Sequence, residues 1–354
     1  MPVIDRAKEA REGEALDPGR LEAFLCEAMP ELQGPLEIKQ FPSGFSNLTY
    51  RLRFANRDLV LRRPPIGTKA QSAHDMQREY KILHALRPRY DLCPAPLLYT
   101  ADDTIIGSPF FVMERIRGII LRKNLPEGLA LPPRDCRTLC GRFVEAFSRL
   151  HRIEPSAGLD DIGKPQGYVE RQVRGWSQRY RNARTDDAPD FEAVMDGLAA
   201  RMPADTPHPA IVHNDFRFDN LVLAPQDPLR IIGVLDWELA TVGDPLMDLG
   251  NSLAYWIQAD DPEERQLLRL MPTHLDGMLT RRDIVAAYTE STGADTTNFA
   301  YYFCFGLFRL AVIAQQIYYR YYHGQTRDER FKMLIFGVHV LEKAARRVMA
   351  DGIC

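Results

Sequence analysis

Between Ile211 and Asp248 the chain reads IVHNDFRFDNLVLAPQDPLRIIGVLDWELATVGDPLMD, two short apolar runs bracketed by acids and an amide. Leu221, Val222 and Leu223 predict one short strand. Ala224 to Pro228 has the composition of a turn, and Arg230 to Leu235 carries the branched residues of a second strand. Strands joined in this way pair antiparallel, so the start of the first lies beside the end of the second. Asn220 precedes the first strand and Asp236 follows the second. The hairpin therefore predicts an amide oxygen and a carboxylate side by side, two ligands for one hard cation. Magnesium takes few protein ligands and completes its shell with water and phosphate oxygens. Asp215, in the loop entering the hairpin, is placed to face a substrate hydroxyl. An aspartate on the attacking hydroxyl, with an asparagine and a second aspartate on magnesium, is the set that phosphoryl transfer requires. Taken singly, each of the three is more often a turn or cap residue; the joint spacing carries the reading.

A chain of 354 residues exceeds the usual size of a single core, which predicts two lobes. A net charge of −3 argues against a broad nucleic-acid footprint. The opening residues MPVIDRAKEAREGEALD lack the apolar centre of a signal peptide. The longest apolar run, near Phe303 to Ala314, is short for a bilayer and contains Arg309, so no membrane association is expected. The six cysteines are scattered; Cys136 and Cys140 share a helix face, but no second pair has zinc-ligand spacing. That pattern predicts reduced thiols in a cytoplasmic protein.

His213-x-Asp215, then Asn220, then Asp236, is similar to the catalytic core of protein-kinase-like enzymes. The longer pattern HNDFRFDN…VLDWELATVGDPLMDLG resembles the aminoglycoside phosphotransferase superfamily. FPSGFSNLTYRL, VLRRPP, REYKIL, GSPFFVMERIRG and FRLAVIAQQIYYRYYHGQ resemble one branch of it, the kinase-like domain fused to some acyl-CoA dehydrogenases. The resemblance covers most of the chain, from about Leu36 to Leu341. It implies an α+β, two-lobed protein-kinase-like fold. An N-lobe over 1–115, a five-stranded sheet plus a helix, would cover the nucleotide. A larger, mainly helical C-lobe over 116–354 would hold the catalytic loop, the metal site and the substrate-binding helices.

In the N-lobe, Asp17-Pro18 predicts a helix start, with that helix running to about Met29. Leu36–Phe41, Leu48–Phe54 and Leu59–Arg62 read as three strands. The small-residue turn between the first two could bring backbone N–H groups near phosphates; an ordinary hairpin turn is the plainer reading. The resemblance puts the nucleotide-covering loop there and makes Ser43, Gly44, Ser46 and Asn47 candidates. It also puts Arg62 where related kinases carry lysine. Arg62 or Arg63 could hold the inner phosphates, but alternation sends the two side chains to opposite faces, and Arg62 is favoured here. A helix over His74 to Leu86 carries Met76, Tyr80 and Leu83 on one face, and the resemblance makes Glu79 the residue that orients Arg62. Phe110 to Glu114 reads as an apolar strand. After it the resemblance implies a hinge whose main chain near Met113, Glu114 and Ile116 binds the base, ATP or GTP.

In the C-lobe, Arg134 to His151 is amphipathic, with Leu139, Phe143, Phe147 and Leu150 forming a core stripe to pack beneath the catalytic loop. Tyr168 to Arg184 carries five arginines with Trp176 and Tyr180. It is either a basic solvated face or a patch that recruits an anionic substrate. The resemblance places Arg217 where protein-kinase catalytic loops carry a lysine, so it either faces the transferred phosphate, where a cation would offset charge, or anchors its loop. His213 is read as a loop support rather than a base, and Asp248 as a brace. Asn298 to Tyr322 reads as a long core helix on which Arg309 and Gln315 are candidates for a substrate pocket.

These readings lead to one expectation, a magnesium- and ATP- or GTP-dependent phosphotransferase acting on a small-molecule hydroxyl. The branch suggests a hydroxylated acyl-CoA or hydroxy acid. An aminoglycoside or amino-alcohol acceptor is the alternative, for which the acidic run Asp260, Asp261, Glu263 and Glu264 could serve unless it is a solvated loop. A nucleotide-binding pseudokinase is the reading from another class, and its one support is arginine at position 62. Sequence is silent on oligomeric state.

Overall fold

The structure, a computed structural model, describes residues 7–41, 47–65, 75–155, 158–159 and 162–352. The fold is α+β and two-lobed, in two compact units. The first comprises Met1–Ile120, Ala157–Ile162 and Leu221–Ala240; the second comprises Leu121–Ser156, Gly163–Asn220 and Thr241–Cys354. The first unit thus runs past the expected boundary at 115 and takes in the hairpin that the sequence division assigned to the C-lobe. The reason is pairing: Ile119 bridges Leu223, and the Val234 N–H donates to the Leu92 carbonyl.

In the first unit, Asp17 caps α1 (Pro18–Ala28) by accepting from the Gly19 N–H. β1 (Glu37–Gln40), β2 (Leu48–Arg53), β3 (Asp58–Arg63), β4 (Pro96–Thr100) and β5 (Phe110–Glu114) form one antiparallel sheet. Its order is β1-β2-β3-β5-β4. Between β3 and β4 lies α2 (Met76–Leu86), capped by Asp75; His74, the expected helix start, lies outside the described residues. Strand alternation assigns the layers. Leu48, Tyr50 and Leu52 of β2 join Leu59 and Leu61 of β3 and Leu21 and Leu25 of α1 in one buried cluster. Arg62 therefore points to the other face. Its cross-strand partner Phe111 meets Tyr80 of α2 there, with ring centroids 6.4 Å apart.

The chemistry-bearing hairpin pairs β7 (Leu221–Ala224) with β8 (Asp227–Val234), Leu221 opposite Val234. Only Pro225 and Gln226 form the turn, so β8 starts three residues before the expected Arg230. Asp227 and Pro228 read as turn formers. In a two-stranded ribbon whose register shifts between Val222 and Ala224, a missing N–H is tolerated.

The second unit is mainly helical. It holds α3 (Pro133–His151), α4 (Tyr168–Ala183), α5 (Glu192–Ala200), α6 (Pro245–Ala254), α7 (Glu263–Gln266), α8 (Arg281–Thr292), α9 (Phe299–Tyr322) and α10 (Leu334–Asp351). β6 (Ala210–Val212) pairs antiparallel with β9 (Thr241–Gly243). The expectation that the apolar run near 303–314 is too short for a bilayer needs correcting. The helix that carries it has 24 residues and is long and apolar enough to cross one, yet 72% of its apolar window is buried inside the protein. It is the central core helix here.

α6 crosses α9 at two glycines. A Cβ on Gly250 would stand 2.2 Å from the Tyr302 carbonyl oxygen, and one on Gly306 would stand 2.2 Å from the Gly250 carbonyl oxygen. Gly250→Ala must part the two helices, and we expect a stability loss of about 1–3 kcal/mol. Urea unfolding measures it, and an unchanged midpoint would refute the close approach.

Candidate active site

In the second unit, β6 ends at Val212 and the chain turns sharply at Asn214, whose φ of 65° is unusual for a residue with a side chain. Asp248, in the first turn of α6 and fully buried, holds that turn. Its carboxylate accepts from the backbone N–H of His213 at 2.5 Å and of Asn214 at 2.7 Å. His151 Nε2 lies 3.2 Å from the same carboxylate, and its Nδ1 meets the Tyr288 hydroxyl at 2.7 Å. His213 is buried, and its Nδ1 accepts from the Asp215 N–H. Beneath the loop, Phe216 stacks on Phe147 at 4.1 Å and meets Phe143 at 5.1 Å, so the α3 stripe is the floor. The Ser252 hydroxyl donates to the Phe216 carbonyl.

On this support sits Asp215. Asn220 spends its amide N–H groups on the Asp215 carbonyl at 2.9 Å and carboxylate at 2.8 Å. The asparagine Oδ1 is thereby left facing away from Asp215, an oxygen fit to ligate a hard cation. Arg217 pairs with Asp215 (2.9 Å) and Asp219 (3.4 Å), and its guanidinium lies 4.3 Å from the Tyr255 ring centre. Burial opposes its charge, but Asp215, Tyr255 and Asp219 together hold its pKa above the usual value. These contacts tie Arg217 to its own loop beside Asp215. Asp219 and Tyr255 were not singled out from sequence; the i+2 spacing of Arg217 and Asp219 was the available signal for the first.

In the first unit, Arg62 is 6% exposed and gathers three carboxylates: Glu79 at 2.6 Å, Asp236 at 3.0 Å and Glu238 at 3.1 Å. Arg63 instead donates to the Ile106 carbonyl. One guanidinium against three acids leaves an excess of negative charge, an arrangement that fits a divalent cation at Asp236, the most exposed of the three. Among the described residues no group of three or more His, Cys, Asp or Glu forms a ready-made metal cage. Asp236 has a φ of 68°, a second left-handed residue at the site. The Trp237 indole donates to the Val234 carbonyl and so fixes the turn behind Asp236. Glu238 went unrecognised in the sequence, although an acid two residues after Asp236 was a signal. Asn47 donates to Glu238 at 2.6 Å.

Burial pushes Glu79 up to about 7; Arg62 pulls the value back and Asp236 adds to the rise. The folded value exceeds the ordinary 4.5, so the folded protein binds this proton more tightly. Stability from this group is therefore greatest below pH 4.5 and falls as pH rises through about 7. In magnesium-free buffer, Glu79→Gln should flatten the Tm profile across that window. Equal slopes in variant and parent would contradict the assignment.

The remaining candidates lie as follows. Met113 and Glu114 end β5, paired with Val60 and Leu59, and Ile116 packs over Gly233. Ser43, Gly44 and Ser46 lie outside the described residues. Gln315 was expected to line a pocket, but it is fully buried and donates to the Ala183 carbonyl and the Thr185 hydroxyl. Its amide N–H groups tie α9 to the end of α4, while its Oε1 has no hydrogen-bond partner among the described residues. Two of the four acids in the run are paired: Asp261 with Arg265 and Arg281, and Glu264 with Lys343.

The sequence pattern that defines the phosphotransferase enzyme family matches residues 37–274. The chain belongs to this family. Mouse acyl-CoA dehydrogenase family member 10 is 35% identical over 91% of the chain, and chicken acyl-CoA dehydrogenase family member 11 is 32% identical over 93%. The chain spans only 30% and 43% of the length of those two proteins. A Ralstonia eutropha protein assigned to the aminoglycoside phosphotransferases has a crystal structure that superposes with a TM-score of 0.79 at 27% identity, covering 95% of this chain and 99% of its own. A thermostable aminoglycoside phosphotransferase mutant, solved with AMP-PNP and hygromycin B, shares the fold at a TM-score of 0.59 and 16% identity, covering 94% of this chain and 98% of its own. The recognition drawn from the motifs, and the two-lobed kinase-like fold it implied, are borne out. This phosphotransferase-family chain carries arginine at position 62, paired with a buried glutamate.

Proposed function

We propose that the chain transfers the terminal phosphoryl group of ATP or GTP to a hydroxyl of a small molecule. The observation that carries this reading is the setting of Asp215. Its loop is clamped by Asp248 and its carboxylate is aimed by Asn220 and Arg217. In that setting Asp215 orients the acceptor hydroxyl and takes its proton as the oxygen attacks phosphorus. Asn220 and Asp236 are the residues that would hold magnesium. When bound, that ion neutralises charge on the nucleotide phosphates. Arg62, set by Glu79, would hold the inner phosphates, and the main chain near Met113 to Ile116 the base.

For the acceptor we propose a hydroxylated acyl-CoA or a hydroxy acid. The relatives named above are acyl-CoA dehydrogenase family members, which supports an acyl substrate. An amino-alcohol or aminoglycoside acceptor would call for unpaired carboxylates, and the acidic run has spent Asp261 and Glu264 on cations.

The test is calorimetric titration with ATP and with GTP, each with and without magnesium, followed by turnover with hydroxyacyl-CoA esters and hydroxy acids. We expect magnesium-dependent binding of one nucleotide and transfer to such an acceptor. Nucleotide binding without turnover on any acceptor would favour the pseudokinase reading; no binding at all would overturn the proposal.

A further inference from the structure

Arg309 lies in the middle of α9 and is 5% exposed. Among the described residues it makes no hydrogen bond and no ion pair; its one recorded partner is the Trp176 ring, 5.1 Å from the guanidinium carbon. A buried cation without a counter-ion is costly, because it has given up water without gaining a carboxylate. Contact with an indole offsets only part of that cost, on the order of 0.5–2 kcal/mol. The other side chain on the same indole is also cationic: Arg179 lies 4.6 Å from the Trp176 ring centre. Proximity to Arg309 lowers the Arg179 pKa, after the larger effect of burial. Two guanidiniums on one ring, neither with a carboxylate partner among the described residues, concentrate positive charge at this place.

That place adjoins Asp215. Tyr255 carries Arg217 on its ring, and Arg217 is paired with Asp215. Tyr255 ends α6, and α6 crosses α9 at Gly306, one turn before Arg309. In keeping with this, burial raises the Tyr255 pKa most, and Arg217 and Arg309 both lower it, against Asp215 and Asp219. Arg309 and Asp215 are therefore linked through Tyr255 and the crossing of α6 with α9, all within the second unit. A guanidinium presents a planar fork of N–H donors that matches an oxyanion, carboxylate or phosphate.

We propose that Arg309, flanked by Trp176 and Arg179, seats an anionic group of the acceptor while the acceptor hydroxyl meets Asp215. This inference rests on the phosphotransferase reading for the hydroxyl, but the anion seat itself does not require turnover. It selects acceptors by charge: hydroxy acids or phosphate-bearing hydroxyacyl thioesters are drawn in, and amines are repelled.

The test compares hydroxybutyrate and hydroxyhexanoate with their neutral amides, and hydroxyacyl-CoA with hydroxyacyl-pantetheine, on the full chain. Turnover is followed for each, and so is binding through tryptophan fluorescence. Trp176 touches the proposed seat, and Trp176→Phe separates its signal from those of Trp237 and Trp256. We expect the parent to prefer the charged member of at least one pair by about 10–100-fold in half-saturating concentration, as charge-assisted hydrogen bonds imply. Arg309→Gln should abolish that preference and Arg309→Lys should restore part of it, with the change in KM rather than kcat. Preference for the acid identifies a carboxylate in the seat, and preference for the CoA ester identifies phosphate. If Arg309→Gln does not fold, the parent's acid-to-amide ratio still decides. Equal handling of charged and neutral members by the parent, or an unchanged preference in folded Arg309→Gln, overturns the seat. Turnover without charge preference would sink the seat and leave the phosphotransferase reading standing. Arg309-dependent quenching without turnover on any acceptor would do the reverse.

Discussion

Asp215→Asn should lower kcat by about 10²–10⁴-fold, the usual contribution of a positioned base, while magnesium-dependent nucleotide affinity changes little. The substitution keeps the size of the side chain and an oxygen that can accept from Asn220, which lies 2.8 Å away. It removes the charge that pairs with Arg217 and the group that takes the proton. Arg217 retains Asp219 at 3.4 Å and the Tyr255 ring, so the loop should hold its course. Single-turnover transfer to a hydroxylated acceptor, with nucleotide affinity by calorimetry, separates the two effects. A kcat within about threefold of the parent, far short of the loss expected for a base, would remove Asp215 from the catalytic role.

Asp236→Asn should also be costly, on the order of 10²–10³-fold in turnover, with loss of the magnesium dependence of nucleotide binding. Asparagine is the informative replacement, because position 236 has a φ of 68° and asparagine tolerates that region better than alanine. Alanine would mix a backbone cost of about 1–2 kcal/mol with the loss of a ligand. Asp236 is also one of three carboxylates around Arg62, so the variant reduces the negative charge that attracts the cation. Calorimetry with and without magnesium reads both consequences. Unchanged magnesium-dependent binding in a folded Asp236→Asn protein would separate this residue from the metal. The two variants differ in kind: the first should spare nucleotide binding, and the second should not.

Much of this site was legible from sequence because its parts are local. Strand, turn and strand between Asn220 and Asp236 follow from short-range propensity, and a hairpin relates its own ends. Alternation along β3 required Arg62 and Arg63 to diverge. The α3 stripe announced a buried face, and Asp17-Pro18 announced a helix start that the structure repeats. Several elements with weaker local signals were not placed from sequence: β6 and β9 are three residues each, and α5 has no side-chain cap.

What the sequence determined by itself was the set of groups and their order along the chain: Asp215, Asn220 and Asp236 around a hairpin, Glu79 on a helix, and an arginine where kinases carry lysine. Tertiary structure alone decided which groups share a charge. Arg62 was favoured over Arg63 from sequence, but the two faces themselves were assigned only once α1 had claimed one side of the sheet and α2 the other. Arg217 is held in its loop because Tyr255 and Asp219 close on it. Gln315 and Arg309 share one helix and looked alike from sequence. Gln315 spends its amide N–H groups on the end of α4, whereas among the described residues Arg309 meets an aromatic ring and no hydrogen-bond partner. The physical reason is that backbone propensity acts over a few residues, while the environment of a buried charge is set by side chains that are distant in sequence.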